Sequence, residues 1–308
     1  MKRILYFIVS VLFLASCSNQ EELSSLKPPT EKKSKLETFS VFGEVHNAML
    51  KEADANFNEP NAETLTKEEA LNHVLGFQKK SIQDLTLSNQ DKQYLEQGIE
   101  KHKDLYCTQD LMSKFPQKFS RSLEDETEDI TTEDIRNLLK DAYNSGNIDK
   151  FEYKAFVQLV DYVVDNAMGK LSNFEFESKV GELINQWDKK YSDVDFSQLE
   201  ITEENATSSL KFNAAPKGAL GGVVLSVSQS SLQYWDSTNK QTRAVPAFVG
   251  ADIAGAVWGV CLGCVGAKVT GGNITWKSVA WSAASGAVTG STGIVGKVGK
   301  WLTKYIRK

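Results

Sequence analysis

Small residues recur at every fourth position near the C-terminus: Ala251, Gly255, Gly259, Gly263 and Ala267, then Ser282, Gly286 and Gly290. A strand turns alternate residues to one face, so a period of four has no meaning there; on a helix it draws one slowly turning stripe. A stripe without side chains lets two helix backbones approach closely and gain dispersion contacts along a line. Each interior glycine costs about 1 kcal/mol relative to alanine in an isolated helix. Packing must therefore offset that cost. Thr270-Gly271-Gly272-Asn273 separates the two blocks and has the composition of a helix stop and turn. The pattern predicts an antiparallel helical hairpin over about 248–268 and 274–296, a glycine zipper.

The surroundings of that hairpin are left open by the residues. Phe248–Ala267 would reach roughly 30 Å as a helix, about one hydrocarbon core. Its apolar residues favour lipid by only about 0.3–0.6 kcal/mol each, and Asp252 opposes them, so the insertion balance is near zero. The segment is poised between water and membrane. Lys297, Lys300, Lys304, Arg307 and Lys308 interleave with Trp301, Leu302, Tyr305 and Ile306 in a tail suited to a bilayer interface. One expectation is a hairpin that engages membranes through Gly255, Gly259, Gly263, Gly286, Gly290, Trp301, Lys297, Lys300 and Lys304. The other is a hairpin buried in its own soluble core. Self-association through the stripe fits either.

The preceding region, 41–210, reads as a helical body. Thr66-Lys-Glu-Glu69, Ser88-Asn-Gln-Asp91, Thr131-Thr-Glu-Asp134 and Ser172-Asn-Phe-Glu175 each place a hydroxyl ahead of an acid three residues on, the pattern that satisfies free N–H groups in a helix's first turn. Val180, Leu183, Ile184, Trp187 and Tyr191 fall on one helical stripe, as do Phe156, Leu159, Val160, Val163 and Val164. The predicted fold class is all-α: a helical bundle body, then a Gly/Ala-rich helical region over 211–308. Asp236 to Ala244 reads as a polar connection inside that region.

The N-terminus carries an address. Lys2 and Arg3 precede an uncharged run, Ile4 to Ala15, too short to span a bilayer but suited to a signal peptide. Leu14-Ala15-Ser16-Cys17 resembles the lipobox of bacterial lipoproteins. The resemblance implies a signal peptide over 1–16, cleavage before Cys17 and lipid on its sulfur. Ser18-Asn19-Gln20-Glu21-Glu22 is similar to the export signal of surface-exposed Bacteroidota lipoproteins, which implies an outer-membrane protein facing the cell exterior. Residues 17–40 hold Pro28-Pro29 and Glu31-Lys32-Lys33 and read as a flexible tether.

Charge narrows the partners. The chain carries −5; Lys2 and Arg3 supply +2 and residues 244–308 supply +6, so residues 17–243 carry −13. An acidic body excludes nucleic acid as an expected partner, since phosphate must be neutralised. The lipid bilayer is the expected partner.

Chemical motifs are few. Cys261-x-x-Cys264 lies in a Gly/Ala/Val run without the partners of a zinc site or a thioredoxin-like context, leaving small-residue packing or a local disulfide. Asp141 to Glu152 overlays partly on a calcium loop, but Tyr143 stands where an oxygen ligand is needed. No paired histidines, nucleophile elbow or phosphate loop occurs. No enzyme activity, cofactor or metal is expected. Asp236-Ser237-Thr238 looks like a Bacteroidota O-glycosylation sequon, with Ser237 as acceptor.

Three further segments, Gly43-Glu-Val-His46-Asn47-Ala-Met-Leu50, Leu225 to Tyr234-Trp235, and Ala251-Asp252-Ile-Ala-Gly-Ala256, together resemble a family of uncharacterised Bacteroidota lipoproteins. That resemblance implies no catalytic residue. The hairpin block separately resembles bacteriocin-like and pore-forming peptides. The expectation is a surface lipoprotein whose hairpin engages membranes, with a non-enzymatic interaction module as the alternative.

Overall fold

A computed structural model describes residues 34–57, 67–89, 91–96, 99, 132–196, 199, 216–238, 245–270 and 276–291. Among these, a short 3-10 turn, Lys35–Phe39, leads into α1 (Ser40–Phe57), α2 (Lys67–Asp84), α3 (Thr132–Asn144), α4 (Lys150–Ala167), α5 (Asn173–Lys190), α6 (Ala219–Thr238), α7 (Val245–Thr270) and α8 (Trp276–Ser291). The chain is all-α, as the sequence predicts, and no strand occurs among the described residues.

Two helix starts form full capping boxes, the first of them predicted. Ser172 Oγ accepts from Glu175 N, and the Glu175 carboxylate accepts from Ser172 N, opening α5. Asp149 opens α4 in the same reciprocal way with Glu152. Asp149 and Glu152 of the 141–152 loop thus spend their carboxylates on a helix start, and the described residues hold no metal-binding cluster. Gly146, at φ 73°, turns the chain out of α3.

The body helices bury the predicted stripes. Phe156, Leu159, Val160 and Val163 of α4 are buried, as are Val180, Leu183 and Trp187 of α5 and Tyr191 just beyond it. Trp187 anchors an aromatic cluster. Its ring lies edge-on to Phe39 at 5.6 Å and stacks on Phe196 at 5.4 Å, and its Nε1 donates to Gly218 O at 2.9 Å. That bond ties α5 to the start of α6.

α7 is the centre. Residues 249–262 are all buried, enclosed by α8, α6, α4 and α3. A helix apolar all round belongs inside a large core or inside a membrane; here the protein itself encloses it. α7 and α8 run antiparallel at backbone contact. A Cβ at Gly255 would stand 2.3 Å from Gly286 O, and one at Gly259 would stand 2.3 Å from Ser282 O. Gly263 faces the Val279 side chain. α7 takes in the predicted 248–268, and α8 covers 276–291 of the predicted 274–296, whose remaining positions lie outside the described residues. One boundary differs: α6 continues to Thr238, so Asp236–Thr238 is helix rather than connection. The apolar face of α6 against α1 and α7 carries the helix past a segment whose polarity read as a linker. All these elements belong to one compact unit, Lys35–Lys308.

The glycines separate packing from propensity. Gly181 of α5 has open space where a Cβ would go, so Gly181→Ala should raise stability by about 0.5–1 kcal/mol. Gly255→Ala gains the same propensity but drives a methyl into a backbone carbonyl, so it should lower stability by about 1–3 kcal/mol. Urea unfolding of the two variants should shift the midpoint in opposite directions.

Candidate functional site

The three segments that carry the family resemblance converge on one buried point. α1 brings His46 and Asn47, α6 brings Ser230, Ser231 and Trp235, and α7 brings Asp252. Asp252 Oδ2 accepts from Ser231 Oγ at 2.6 Å and from Trp235 Nε1 at 2.9 Å. His46 Nε2 lies 3.5 Å from the same oxygen, an ion-pair distance rather than a hydrogen bond. On the far side of the ring, His46 Nδ1 meets Asn47 Oδ1 at 3.0 Å, while Asn47 Nδ2 donates to Ser230 O at 3.1 Å. The amide's second bond fixes which way it faces, so Nδ1 carries a proton and donates to it. His46 and Asp252 have no exposed surface.

Close backbone approach makes the convergence reachable. A Cβ at Gly43 would sit 2.7 Å from Ser230 Cβ, so only glycine lets α1 come this near to α6. His46 is one turn further on and lands beside α7.

Serine, histidine and aspartate are all present, but not in a nucleophilic order. Ser231 gives its proton to Asp252, and the imidazole also faces Asp252 rather than the hydroxyl it would have to activate. What the arrangement does is join three helices through one carboxylate. A buried carboxylate is costly unless donors surround it, and breaking such a set strands the rest.

A second buried carboxylate joins two helix starts. Glu152 Oε2 accepts from Asp149 N at 2.9 Å, and Oε1 accepts from Gly221 N in the first turn of α6 at 2.9 Å. Burial pushes its carboxyl up to about 7 from 4.5, against the opposing pull of the Asp149 and Gly221 N–H groups. Tyr191 closes the group by donating to Asp149 Oδ2 at 2.7 Å; burial and that bond push the phenol up. Cys261 and Cys264 are buried in α7 and no disulfide joins them, which is the packing alternative of the sequence reading. Burial, then the neighbouring Cys264, pushes the Cys261 thiol well up.

Gly255, Gly259, Gly263 and Gly286 meet in the hairpin as described. Gly290 lies in α8 and Ser237 in the last turn of α6, with side chains outside the described residues. Cys17, Lys297, Lys300, Trp301 and Lys304 also lie outside them. The sequence offers Glu152 only as the last position of a partial calcium loop, and gives neither carboxylate the helix-joining role it has here. In sequence Asp252 counts as a cost against membrane insertion and as part of the Ala251–Ala256 resemblance, and a lone acid in a Gly/Ala/Val run is itself a signal that partners must meet it.

A family model for the prokaryotic membrane lipoprotein lipid attachment site matches residues 1–18. The N-terminus is that of a membrane lipoprotein. Cys17 falls inside the match and is the attachment point expected from Leu14-Ala15-Ser16-Cys17. No curated protein and no solved structure matches the chain. Among the described residues, no helix of this lipoprotein is long and apolar enough to cross a membrane.

Two outcomes test the site. Asp252→Ala strands the Ser231 and Trp235 donors and the His46 ring, and should lower unfolding free energy by about 3–5 kcal/mol in urea titrations; a loss under 1 kcal/mol would contradict the network. Glu152 holds its proton to higher pH folded than unfolded, so the folded state binds more protons between about 4.5 and 7. Stability should therefore fall as pH rises through that window, by about 3 kcal/mol at most from this group. Glu152→Gln should flatten that slope in thermal melts taken across the window.

Proposed function

We propose that this lipoprotein is a non-enzymatic interaction module, held at the outer membrane by lipid on Cys17 and facing the cell exterior, with the α7–α8 hairpin as its structural core. The burial of residues 249–262 on every side of α7 carries this reading. Asp252 supports it further, because its bonds to α6 and its contact with α1 fasten the hairpin to the body. The acidic body disfavours nucleic acid, and Ser18-Asn19-Gln20-Glu21-Glu22 supports the exterior address. Asp236-Ser237-Thr238 adds a candidate glycan on the same exposed protein.

A second reading treats the hairpin as cargo for a membrane, in a bacteriocin-like or pore-forming role. Its support is specific: α7 has no polar face of its own, and α7 and α8 pack on each other closely enough to move as a unit. The basic tail with Trp301 would then lead the hairpin to anionic lipid.

A staple separates the two. A Cβ at Gly250 would lie 3.9 Å from Val163 Cβ, within the range a disulfide spans. Val163→Cys with Gly250→Cys should lock α7 to α4 when oxidised. The mature protein without lipid, reduced or oxidised, should release no dye from anionic vesicles, and deletion of 248–308 should unfold it. Release by the reduced form that the staple abolishes would overturn the module in favour of the membrane-active reading.

A further inference from the structure

The turn between α4 and α5 presents apolar side chains that the fold does not use. Among the described residues, the exposed large hydrophobic side chains are Tyr143, Met168 and Phe174, and the last two share this turn. Phe174 is 80% exposed and Met168 43%, with Leu171 half-buried between them. Phe174 stands second in α5, a position whose natural occupants are polar or acidic. Packing gives no reason for a phenylalanine there.

The backbone that carries these side chains is closed on itself. Lys170 N and Leu171 N donate to Asp165 O at 2.8 and 3.1 Å, and Gly169 N donates to Asn166 O at 2.9 Å. Asn166 Nδ2 donates to Leu171 O at 3.1 Å. The Ser172 and Glu175 capping box takes up the next amides. Backbone groups that are already paired cost little to bring against hydrocarbon, whereas unpaired ones cost several kcal/mol each.

From these observations we propose that the α4–α5 turn is a membrane-contacting tip, and that Phe174, Met168 and Leu171 rest in the interfacial layer of the bilayer to which Cys17 is attached. Three side chains on one turn fall well short of the ~800 Å² per partner that a stable protein interface buries. A bilayer sets no such minimum for a tethered protein, because tethering supplies an effective concentration on the order of millimolar.

Geometry permits the contact. Lys35, the first residue of the body, is fixed to α5 near its C-terminal end, where its backbone N–H donates to Asp188 Oδ1 at 3.0 Å. Asp188 and Phe174 are fourteen residues apart on one helix, roughly 21 Å. Residues 18–34 can span about 60 Å at full extension, so their length does not hold the turn away from the membrane.

Charge sets the lipid class. Asp165, Glu175 and Glu177 flank the turn, and Lys170 is paired with Asp165 at 3.4 Å. The tip therefore suits zwitterionic lipid and should be insensitive to salt. The basic tail over 297–308 would instead favour anionic lipid and weaken with salt.

The test uses the full mature chain carrying its Cys17 lipid, on phosphatidylcholine vesicles with or without bromine in the acyl chains. Flotation with the vesicles first establishes anchoring. Phe174→Trp and, separately, Met168→Trp add a fluorophore at positions whose exposure leaves folding intact, as far-UV circular dichroism would verify. The emission each adds over the parent chain should fall at least about twofold on brominated vesicles, equally in low salt and in 0.5 M salt. Equal emission on both vesicle types, from a chain that floats, would overturn the tip and leave the turn to a protein partner. Failure to float would overturn it as well, by removing the anchor on which it rests. Dye release in the preceding experiment reads the hairpin and not this turn, so the two can fail separately.

Discussion

The contact of α7 with α8 at backbone distance governs the rest of the domain. With glycine at 255, 259 and 286, carbonyl oxygens take the space where side chains would stand. Two helices so close form a thin apolar slab, and the other described helices can pack around it. The glycines weaken each helix in isolation, so the hairpin is stable only where something covers it. In this protein α6, α4 and α3 cover α7, and α6 and α1 cover α8. The local cost and the tertiary gain are parts of one design: a sequence poor in intrinsic helix formers gains its order from neighbours.

A slab of apolar helices could slide or rotate without losing much contact, because dispersion is nearly the same in several registers. Asp252 removes that freedom. Its carboxylate is bonded only when Ser231 and Trp235 of α6 stand in one place, with the His46 ring of α1 beside them. Glu152 does the same at the other end of α6, where one side chain serves the start of α4 and the first turn of α6. Both are buried carboxyl groups; backbone donors meet both oxygens of Glu152, and side-chain donors meet Oδ2 of Asp252. Specific fit in this core thus comes from a few polar groups set among many interchangeable apolar ones.

The anchor gives that rigid domain its setting. A protein held by lipid near a bilayer meets the surface constantly, so weak features acquire consequence. The exposed turn between α4 and α5 and the enclosed hairpin are opposite cases. One shows apolar side chains on a closed backbone; the other hides an apolar pair behind polar fasteners. Their readings concern different faces of the molecule and different lipid chemistry.

Much of the architecture could be read from residue order, because it rests on local rules. The lipobox-like tetrapeptide, the capping box at Ser172, the stripes through Phe156 and Val180 and the every-fourth-residue glycines each depend on neighbours within a turn or two. The environment of the hairpin did not follow from them, since an all-apolar helix satisfies lipid and protein core alike and only the packing of α3, α4 and α6 selects between these. The meeting of His46, Ser231, Trp235 and Asp252 was equally hidden. Those residues are separated by up to about 200 positions, and no periodicity links them. Their partnership exists because glycine at 43 brings α1 against α6, a fact of three-dimensional approach. Local residue order specifies the lipid address, the helices and the line along which two of them touch. The tertiary structure alone decided what surrounds that pair and which buried charges hold it, because burial is a property of the assembled whole.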